Sequence, residues 1–212
     1  MRAIIFANTE LHDLDATIRL IQPGDVLIAA DGGARNCLAL GHTPSVVIGD
    51  FDSLSEQEQS QLESAGAQLI RHSARKDETD LELALLHAKS LEADEVIVLA
   101  GLGARWDQSL ANLLLPTHPH LEGLDITFID GNQLICTIYD QRRIKGNPGD
   151  TVSLLPIGGD VTGVITMNLE YPLSDETLFF GTTRGMSNVL VENEASITIK
   201  SGVLLCVLIR KS

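Results

Sequence analysis

The segment VVIGDFDSL, residues 46 to 54, places two carboxylates directly after an apolar run that is typical of a buried strand. If the segment is extended, Asp50 and Asp52 point the same way and could bind one cation, because alternate side chains of a strand share a face. A turn explains the segment equally well, since Ser53 and Glu56 have the spacing of a helix capping box. The segment by itself leaves both interpretations open.

Three further polar loops follow predicted strands in the same way. They are DGGA at 31–34, RKDETD at 75–80 and GLGARWD at 101–107. Each has an ordinary explanation by itself: Thr79 with Glu82 has capping-box spacing, and Asp107 could cap a helix. However, the carboxyl ends of parallel strands lie at one edge of a sheet, where open α/β folds bind ligands. Polar loops after four successive strands therefore predict a functional cluster at that edge.

The acidic residues of these loops predict a magnesium site. Asp50, Asp52, Asp77 and Asp80 offer several carboxylates and no thiolate, and the six histidines of the chain lie outside these loops. Oxygen ligands select a hard ion, and Mg²⁺ usually takes one or two carboxylates together with substrate phosphates. We therefore expect these aspartates to hold Mg²⁺.

Basic residues beside the acids indicate a phosphate-bearing substrate. Carboxylates alone would repel a polyphosphate, whereas acids, a divalent cation and basic side chains together can bind one. The nearby basic residues are Arg75, Lys76 and Arg105. The glycines that could let backbone amides approach phosphate or ribose are at positions 32, 33, 101 and 103. This combination predicts phosphoryl or diphosphoryl transfer from a magnesium nucleotide.

Several rival motifs are missing from the sequence. The first predicted strand leads into ANTELHD without a glycine, so the dinucleotide fingerprint is not in its expected place. The chain has no Gly-Lys dipeptide for a P-loop, and neither HExxH nor GxSxG occurs. A dehydrogenase, a zinc protease and an α/β hydrolase are therefore disfavoured.

The elements that must position these loops form two patterns along the chain. Up to about residue 130, short β-branched runs alternate with amphipathic segments, which predicts an α/β fold with a mostly parallel sheet flanked by helices. The predicted strands are Ala3–Ala7, Asp25–Ala30, Val46–Gly49, Gln68–Arg71, Glu95–Ala100 and Asp125–Ile129, and the clearest helix is Thr79–Leu91. Later β-rich runs, broken by Gly, Pro and Asn, predict a smaller all-β sandwich with two strands around a KSG turn. We expect the α/β domain at 1–132 and the β-sandwich domain at 133–212.

The bulk composition limits the partners and the location of the protein. The 212 residues include 15 Lys plus Arg against 29 Asp plus Glu, a formal net charge of −14, which disfavours nucleic acid as a partner. The apolar runs are only strand-sized, so neither a membrane span nor a signal peptide is expected. The wide spacing of Cys37, Cys136 and Cys206 suggests neither a disulfide framework nor a zinc site. We expect three reduced, mostly buried thiols in a cytoplasmic protein.

Taken together, the motifs resemble those of the thiamin pyrophosphokinases, also called thiamin diphosphokinases. The shared segments, in the order of the family, are DGGA, GDFDS, KDETDLELAL, GARWDQSLANLL, DGNQL, GDTVSLLP, YPL and TTRGMSN. The resemblance implies an N-terminal α/β catalytic domain that binds ATP and Mg²⁺, and a C-terminal β-sandwich that helps bind thiamin. It also implies a homodimer with active sites at the subunit interface. The implied reaction is attack of the hydroxyethyl oxygen of thiamin on the β-phosphorus of ATP, giving thiamin diphosphate and AMP.

The resemblance also implies roles for individual residues. Asp50 and Asp52 match the metal-binding acids of the family, and Asp77 and Asp80 match acids that handle Mg²⁺ and ATP phosphates. Together with Arg105, which matches a position near the nucleotide, these are the predicted catalytic residues. The other residues predicted to bind the nucleotide or its phosphates are Asp31, Gly32, Lys76, Thr79 and Asp107.

The predicted thiamin-binding residues are Ser187 and Asn188, which match family positions near the thiamin pyrimidine. From the residues alone, TTRGMSN is better explained as a hairpin loop in which Gly185 and Asn188 serve the turn. The chain departs from the family where Gln108 stands in place of a common His and Val189 in place of a common acid. Two alternatives stay open: a diphosphokinase for another small alcohol such as a pterin, and a non-catalytic sensor of nucleotide or thiamin.

Overall fold

The structure of the protein, a computed structural model, describes residues 1–211. The chain divides into two compact units, Met1–Gly131 and Asn132–Ser212, at a point one residue before the domain boundary expected from the sequence. We call them the N-terminal unit and the C-terminal unit.

The N-terminal unit is built on a parallel sheet with helices packed against it, which confirms the predicted α/β fold. Its strands are β1 (Arg2–Phe6), β2 (Val26–Ala30), β3 (Val46–Gly49), β4 (Gln68–Arg71), β5 (Glu95–Leu99) and β6 (Asp125–Asp130). Their order across the sheet is β6-β5-β1-β2-β3-β4, and each neighbouring pair is parallel. The helices are α1 (Leu14–Leu20), α2 (Gly33–Ala39), α3 (Glu56–Ser64), α4 (Asp80–Ser90) and α5 (Trp106–Leu114), followed by 3₁₀ turns at Leu115–Thr117 and Pro119–Leu121.

Apolar side chains at alternating and helical spacings explain this packing. Ile4 and Phe6 of β1 form a buried cluster with Leu27 of β2 and Cys37 of α2. Helix α4 packs on β1, β2 and β3, and its buried residues, which recur at helical spacing, are Leu81, Ala84, Leu85 and Ala88. Complete burial of one Leu, Ile or Phe side chain stabilises a fold by about 1.5–3 kcal/mol. The buried sheet therefore holds the ends of the loops at its edge in fixed positions.

The predicted boundaries of these elements are correct to within one residue. Ala7, Asp25 and Ala100, which the sequence places inside strands, each lie one residue outside. Thr79 and Leu91 cap helix α4 instead of belonging to it, and the Thr79 side chain accepts the Glu82 N–H at 3.2 Å. The β-rich and helical patterns therefore locate the elements, while local hydrogen bonds decide where each one ends.

Two predicted helix caps are wrong. Helix α3 is capped by Ser55, whose side chain accepts the Glu58 N–H, and not by Ser53 with Glu56. The Glu58 side chain accepts the Ser55 N–H at 2.8 Å in return, which completes a capping box two residues later than predicted. Asp107 lies inside the first turn of α5 and is not its cap.

The C-terminal unit consists of antiparallel strands in two sheets, which confirms the predicted all-β domain. Its strands are β7 (Gln133–Ile138), β8 (Gln141–Lys145), β9 (Thr151–Pro156), β10 (Val161–Met167), β11 (Glu176–Leu178), β12 (Asn188–Val189), β13 (Glu194–Thr198) and β14 (Leu204–Ile209). The strand orders are β12-β9-β14-β7 and β11-β10-β13-β8. Val152, Cys206 and Leu208 of one sheet share a buried core with Ala195 and Ile197 of the other. The strands predicted around the KSG turn, β13 and β14, therefore lie in different sheets and do not form a hairpin.

Two further sequence predictions can be compared with the structure. Cys37, Cys136 and Cys206 are buried thiols, as expected. Burial raises the pKa of the Cys37 thiol to about 12, so this thiol stays protonated at neutral pH. Within residues 1–211, no helix has the length and apolar character needed to cross a membrane.

Asp25 ties the start of β2 to β1 through a largely buried ion pair. Its carboxylate accepts two hydrogen bonds from Arg2, at 2.8 and 2.7 Å, and one from the Gln22 N–H at 2.7 Å. Burial raises the pKa of Asp25, but the hydrogen bonds and the charge of Arg2 outweigh burial and lower the pKa below its ordinary 3.8. A lowered pKa stabilises the fold above that ordinary value, and the stabilisation is lost as the pH falls through the folded-state pKa.

We expect Asp25→Asn to lower the free energy of unfolding by about 2 to 3 kcal/mol at pH 7, because Arg2 loses its charged partner. Urea denaturation at pH 7 measures this loss, and the difference from wild type should shrink below about pH 4. The control is Asp94→Asn, because Asp94 pairs with the N-terminal amine while its side chain is 87% exposed. That control should leave the urea midpoint nearly unchanged. Equal losses in the two variants would contradict the assignment.

Candidate active site

The loops at the carboxyl edge of the parallel sheet line an open cleft of about 710 Å³ in the N-terminal unit. The edge is where parallel strands bring their loops together, as predicted. The volume falls in the range of small-molecule sites. The predicted site residues that line the cleft are Asp31, Asp52, Lys76, Thr79, Asp80, Arg105 and Asp107.

Three carboxylates from two loops converge at this edge. Asp31, Asp50 and Asp52 each offer a ligand oxygen, and these oxygens lie within 4.8 Å of one another. Asp31 directly follows β2 and Asp50 directly follows β3, which are neighbouring strands. The Asp31 N–H also donates to the Ile48 carbonyl at 2.8 Å, so the two strand ends are joined. The strand order therefore assembles the acidic group.

The segment that carries Asp50 and Asp52 is a tight turn and not the extended segment that would have aligned them. The Asp52 N–H donates to Asp50 Oδ1 at 3.2 Å, and Phe51 between them has φ of +63°. Phe51 is only 4% exposed, so its ring is anchored in the interior. The turn is therefore what brings both carboxylates beside Asp31, and the metal-site interpretation of this segment stays a prediction that this arrangement favours.

Backbone strain is concentrated at the same edge. Asp31, which follows β2, has φ of +44°, and Ala100, which follows β5, has φ of +53°. With Phe51, non-glycine residues after three strands adopt the left-handed conformation. Each such residue costs on the order of 1–3 kcal/mol and persists only where its surroundings enforce it. Such strain is most common at functional sites, which favours a site at this edge.

Asp31 is the most electrostatically unusual residue of the cleft. It is 4% exposed, and its Oδ1 has no hydrogen-bond partner within residues 1–211. Burial raises the pKa of Asp31; hydrogen bonds from Ser53 and from the Gly32 N–H oppose this, while the charges of Asp80 and Asp52 raise the pKa further. An unpartnered buried oxygen beside other carboxylates is costly unless a cation neutralises it. The oxygen-only donor set of Asp31, Asp50 and Asp52 fits Mg²⁺.

The predicted basic residues of the cleft are each paired with a predicted acid. Lys76 Nζ lies 2.5 Å from Asp80 Oδ1, and these side chains are only 14% and 29% exposed. Arg105 Nη2 lies 2.5 Å from Asp107 Oδ2 near the start of α5, where both side chains are largely exposed. An anionic ligand in the cleft would therefore compete with Asp80 and Asp107 for these cations.

Asp77 and Asp80 lie outside the group of three converging carboxylates. Asp80 is the first residue of α4 and lines the cleft, whereas Asp77 is exposed in the loop between β4 and α4. Their assignment to Mg²⁺ stays a prediction. Asp31, in contrast, belongs to the acidic group although the sequence reasoning gave it only a nucleotide-binding role.

The glycines of the DGG loop have an explanation inside the chain. A Cβ at Gly33 would lie 2.0 Å from the Phe6 carbonyl oxygen, and one at Gly32 would lie 2.5 Å from Asn8 Oδ1. Gly33 is therefore needed for close packing of α2 against the end of β1, whereas a Cβ at position 32 would meet only the end of the Asn8 side chain, which can move. The expected role of Gly32 at the nucleotide stays a prediction beside this packing requirement of Gly33.

The sequence reasoning also missed several polar residues that line the cleft. These are Asn8, Thr9, Ser53 and Asn112. Asn8 and Thr9 directly follow the first strand, so the rule that ligands bind beyond strand ends could have found them. Asn112 lies in the second turn of α5, and only the folded structure brings it to the cleft.

The predicted thiamin-binding residues lie in the C-terminal unit. Ser187 and Asn188 line a pocket of about 220 Å³ together with Tyr171 and Met186. The Asn188 side chain accepts the Tyr171 N–H at 3.0 Å and donates to the Tyr171 carbonyl at 2.7 Å. Ser187 has φ of +57°, and its N–H donates to Ser153 Oγ at 3.0 Å. The TTRGMSN segment therefore shapes this pocket through its own backbone and amide contacts.

The fold and the cleft define a class of protein in which an α/β domain with an acidic cleft precedes an antiparallel β domain. Comparison with known families identifies the particular family. Residues 17–128 match the thiamin pyrophosphokinase catalytic domain, and residues 137–204 match the thiamin pyrophosphokinase vitamin B1 binding domain. The chain belongs to the thiamin pyrophosphokinase family, as its motifs predict.

Individual relatives agree with this assignment. The chain is 29% identical over 184 residues to thiamine pyrophosphokinase of Bacillus subtilis (strain 168), covering 85% of each chain. It is 25% identical over 212 residues to thiamine pyrophosphokinase 1 of Arabidopsis thaliana, covering 87% of this chain and 78% of the relative. The crystal structure of thiamine pyrophosphokinase from Bacillus subtilis matches with a TM-score of 0.89 and 24% identity, covering 100% of each chain. The structural match confirms the fold.

We expect Asp31→Asn to raise the free energy of unfolding of the metal-free protein by about 1 to 2 kcal/mol at pH 7. The amide removes a buried charge, keeps the shape of the side chain and can donate to Asp50 or Asp52. Thermal unfolding in the presence of a chelator measures the gain, and added Mg²⁺ should then stabilise the variant less than the wild type. The control Asp15→Asn, at an exposed position of α1, should change neither value. A less stable Asp31→Asn protein in chelator would contradict the charge assignment.

Proposed function

We propose that the protein transfers the diphosphoryl group of ATP to the hydroxyl of thiamin, giving thiamin diphosphate and AMP. The observation that carries this proposal is the convergence of Asp31, Asp50 and Asp52 within 4.8 Å at the edge of the cleft. Such a group has little purpose in a cleft unless a cation joins it, and magnesium nucleotides are the substrates that bring one. Membership of the family, in both of its matched domains, supports thiamin as the acceptor.

Asp31, Asp50 and Asp52 are the residues that would hold Mg²⁺, and Asp77 and Asp80 belong to the same proposed metal- and phosphate-binding set. When bound, Mg²⁺ would neutralise phosphate charge and polarise the group that is transferred. The buried position of Asp31 keeps water away from one side of the acidic group. The strained turn at Phe51 fixes the direction of the neighbouring carboxylates.

Lys76, Thr79, Arg105 and Asp107 form the proposed phosphate- and nucleotide-binding side of the cleft. The start of helix α4 lies here with Thr79 as its N-cap, and the positive end of a helix favours phosphate. Lys76 and Arg105 would turn from their carboxylate partners toward phosphate oxygens as charge develops on the leaving AMP. Catalysis then depends mainly on positioning and on charge neutralisation.

The pocket around Ser187 and Asn188 is the proposed site for the pyrimidine end of thiamin. Both polar groups of the Asn188 amide contact the Tyr171 backbone, so its role is to hold Tyr171 and the pocket wall in place. The proposal includes a homodimer in which the cleft of one subunit works with the pocket of its partner, which is the arrangement that the family resemblance implies.

Product analysis tests the reaction directly. With ATP, thiamin and Mg²⁺, the wild type should form AMP and thiamin diphosphate in equal amounts, and a chelator should stop both. Asp52→Asn should lower kcat about 100-fold or more, because it removes one proposed metal ligand. The control Asp94→Asn changes an exposed aspartate far from the cleft and should keep full activity. Formation of ADP with thiamin monophosphate would overturn the diphosphoryl step, and thiamin binding without any product would favour a sensor.

Mixing two inactive variants tests whether the sites are shared between subunits. One variant carries Asp52→Asn, and the other carries changes at Ser187 and Asn188 that abolish thiamin turnover. In a mixed dimer with shared sites, one of its sites combines an intact cleft with an intact pocket. Dissociation and reassociation of an equal mixture should therefore restore about a quarter of wild-type activity, since half of the dimers are mixed. No recovery in dimers shown to be mixed would contradict shared sites.

A further inference from the structure

The turn from Asp50 to Ser53 needs external support. Phe51 holds a left-handed conformation that is unfavourable for a bulky side chain, and the turn carries two like charges in Asp50 and Asp52. Inside the turn, the Asp52 N–H donates to Asp50 at 3.2 Å and the Leu54 N–H donates to the Phe51 carbonyl at 3.3 Å. Both bonds are long, so they provide limited support.

Arg71 supports the first half of the turn. It is the last residue of β4 and lies opposite Gly49 in the strand register, so its side chain starts beside the turn. Its Nη1 donates to the Asp50 carbonyl at 2.8 Å, and its Nη2 donates to Gln59 Oε1 at 2.7 Å. The same guanidinium lies over the Phe51 ring, with Cζ 4.7 Å from the ring centroid. One side chain therefore fixes both the carbonyl before Phe51 and the ring of Phe51.

Arg35 supports the second half of the turn. It precedes the turn in the sequence, whereas Arg71 follows it. It lies on α2, and its Nη2 donates to the Ser53 carbonyl at 2.5 Å. Its orientation is fixed by Glu58, which accepts its Nε at 2.6 Å and its Nη2 at 3.0 Å. Glu58 is fixed in turn by the capping box with Ser55. Hydrogen bonds from Arg35 and Ser55 lower the pKa of Glu58 to about 2, so the carboxylate stays charged at neutral pH.

We propose that Arg35 and Arg71 are positioning residues that clamp the Asp50–Ser53 turn by its carbonyls and so orient the carboxylates of Asp50 and Asp52 for a divalent cation. Neither guanidinium donates to those carboxylates in the hydrogen bonds described within residues 1–211, so the two arginines act through the backbone. This inference rests on the proposed function only in taking the acidic group to be a cation site. The cation is a hard divalent ion such as Mg²⁺ or Mn²⁺.

Direct binding of Mn²⁺ alone tests the clamp without any turnover. The concentration of free Mn²⁺ is read by electron paramagnetic resonance during titration of the wild type, Arg35→Met and Arg71→Met. Partners that orient metal ligands typically change metal affinity 10- to 100-fold, so each variant should bind Mn²⁺ roughly 10-fold or more weakly. Arg71→Lys keeps the charge but loses the planar fork, and it should restore affinity only in part.

Arg2→Met is the matched control. Arg2 also makes a two-pronged ion pair, with Asp25, and donates to the Leu20 carbonyl, but it does not touch the turn. This variant should lose thermal stability while its Mn²⁺ affinity stays at the wild-type value. Weakened Mn²⁺ binding in Arg35→Met and Arg71→Met, with binding kept in Arg2→Met, supports the clamp even if no thiamin diphosphate is formed.

Unchanged Mn²⁺ affinity in both clamp variants would overturn the proposal. Equal weakening in Arg2→Met would also overturn it, because general destabilisation would then explain the effect. Complete recovery by Arg71→Lys would overturn the requirement for the planar guanidinium, because an ammonium can donate to the Asp50 carbonyl but lacks the two-pronged fork that also contacts Gln59. A wild type that does not bind Mn²⁺ would overturn it as well, because the turn would have no cation to serve.

Discussion

The interaction on which the rest of the structure depends is the mutual repulsion of Asp31, Asp50 and Asp52, whose ligand oxygens lie within 4.8 Å of one another. Carboxylates so close together, one of them buried with an unpartnered oxygen, are unfavourable without a cation. The fold must therefore supply the energy that keeps them in place. The three residues lie in loops at the ends of neighbouring strands of a buried parallel sheet. These loops cannot move apart without exposing the core.

Close packing at the strand ends explains how the loops reach this arrangement. Gly33 brings the start of α2 so near to β1 that a Cβ would lie 2.0 Å from the Phe6 carbonyl. The Asn36 side chain, one turn further along α2, donates to the Ala7 and Thr9 carbonyls at 2.8 Å each. Helix α2 therefore holds the loop after β1 as well as the loop that carries Asp31. The strained conformations at this edge are the result of several elements that meet there and not of any one loop sequence.

The sequence predicted the fold well because hydrophobic periodicity reports burial directly. Strands β3 and β4 have the predicted bounds, and α4 begins directly after Thr79, the residue predicted to cap it. Details that depend on three-dimensional neighbours could not be read in this way. The cap of α3 is Ser55 and not the predicted Ser53, and Glu58, which completes the capping box, is also held by Arg35, which lies in another element.

In the site, as in the fold, local sequence patterns predict some features, while others depend on tertiary contacts. The strand-end rule predicted the edge at which the cleft and the acidic group lie, and the motif resemblance gave the correct family. Neither could show that Asp31 completes the group with Asp50 and Asp52, because that depends on which strands are neighbours. The bonds of Asn188 to the Tyr171 backbone join residues that are 17 positions apart, and no local pattern indicates them.

The balance of charge in the cleft also explains how a protein with a formal net charge of −14 can be suited to a polyphosphate. Lys76 and Arg105 are already paired with Asp80 and Asp107, so they offer no uncompensated positive charge to an incoming anion. The acidic group would repel the same anion. A divalent cation held by the acidic group would neutralise it, so that it would no longer repel the anion. Phosphate oxygens would then compete with Asp80 and Asp107 for Lys76 and Arg105. In the proposed reaction, the nucleotide therefore binds favourably only together with the metal, and the acidity of the cleft selects the magnesium complex of the nucleotide over the free anion.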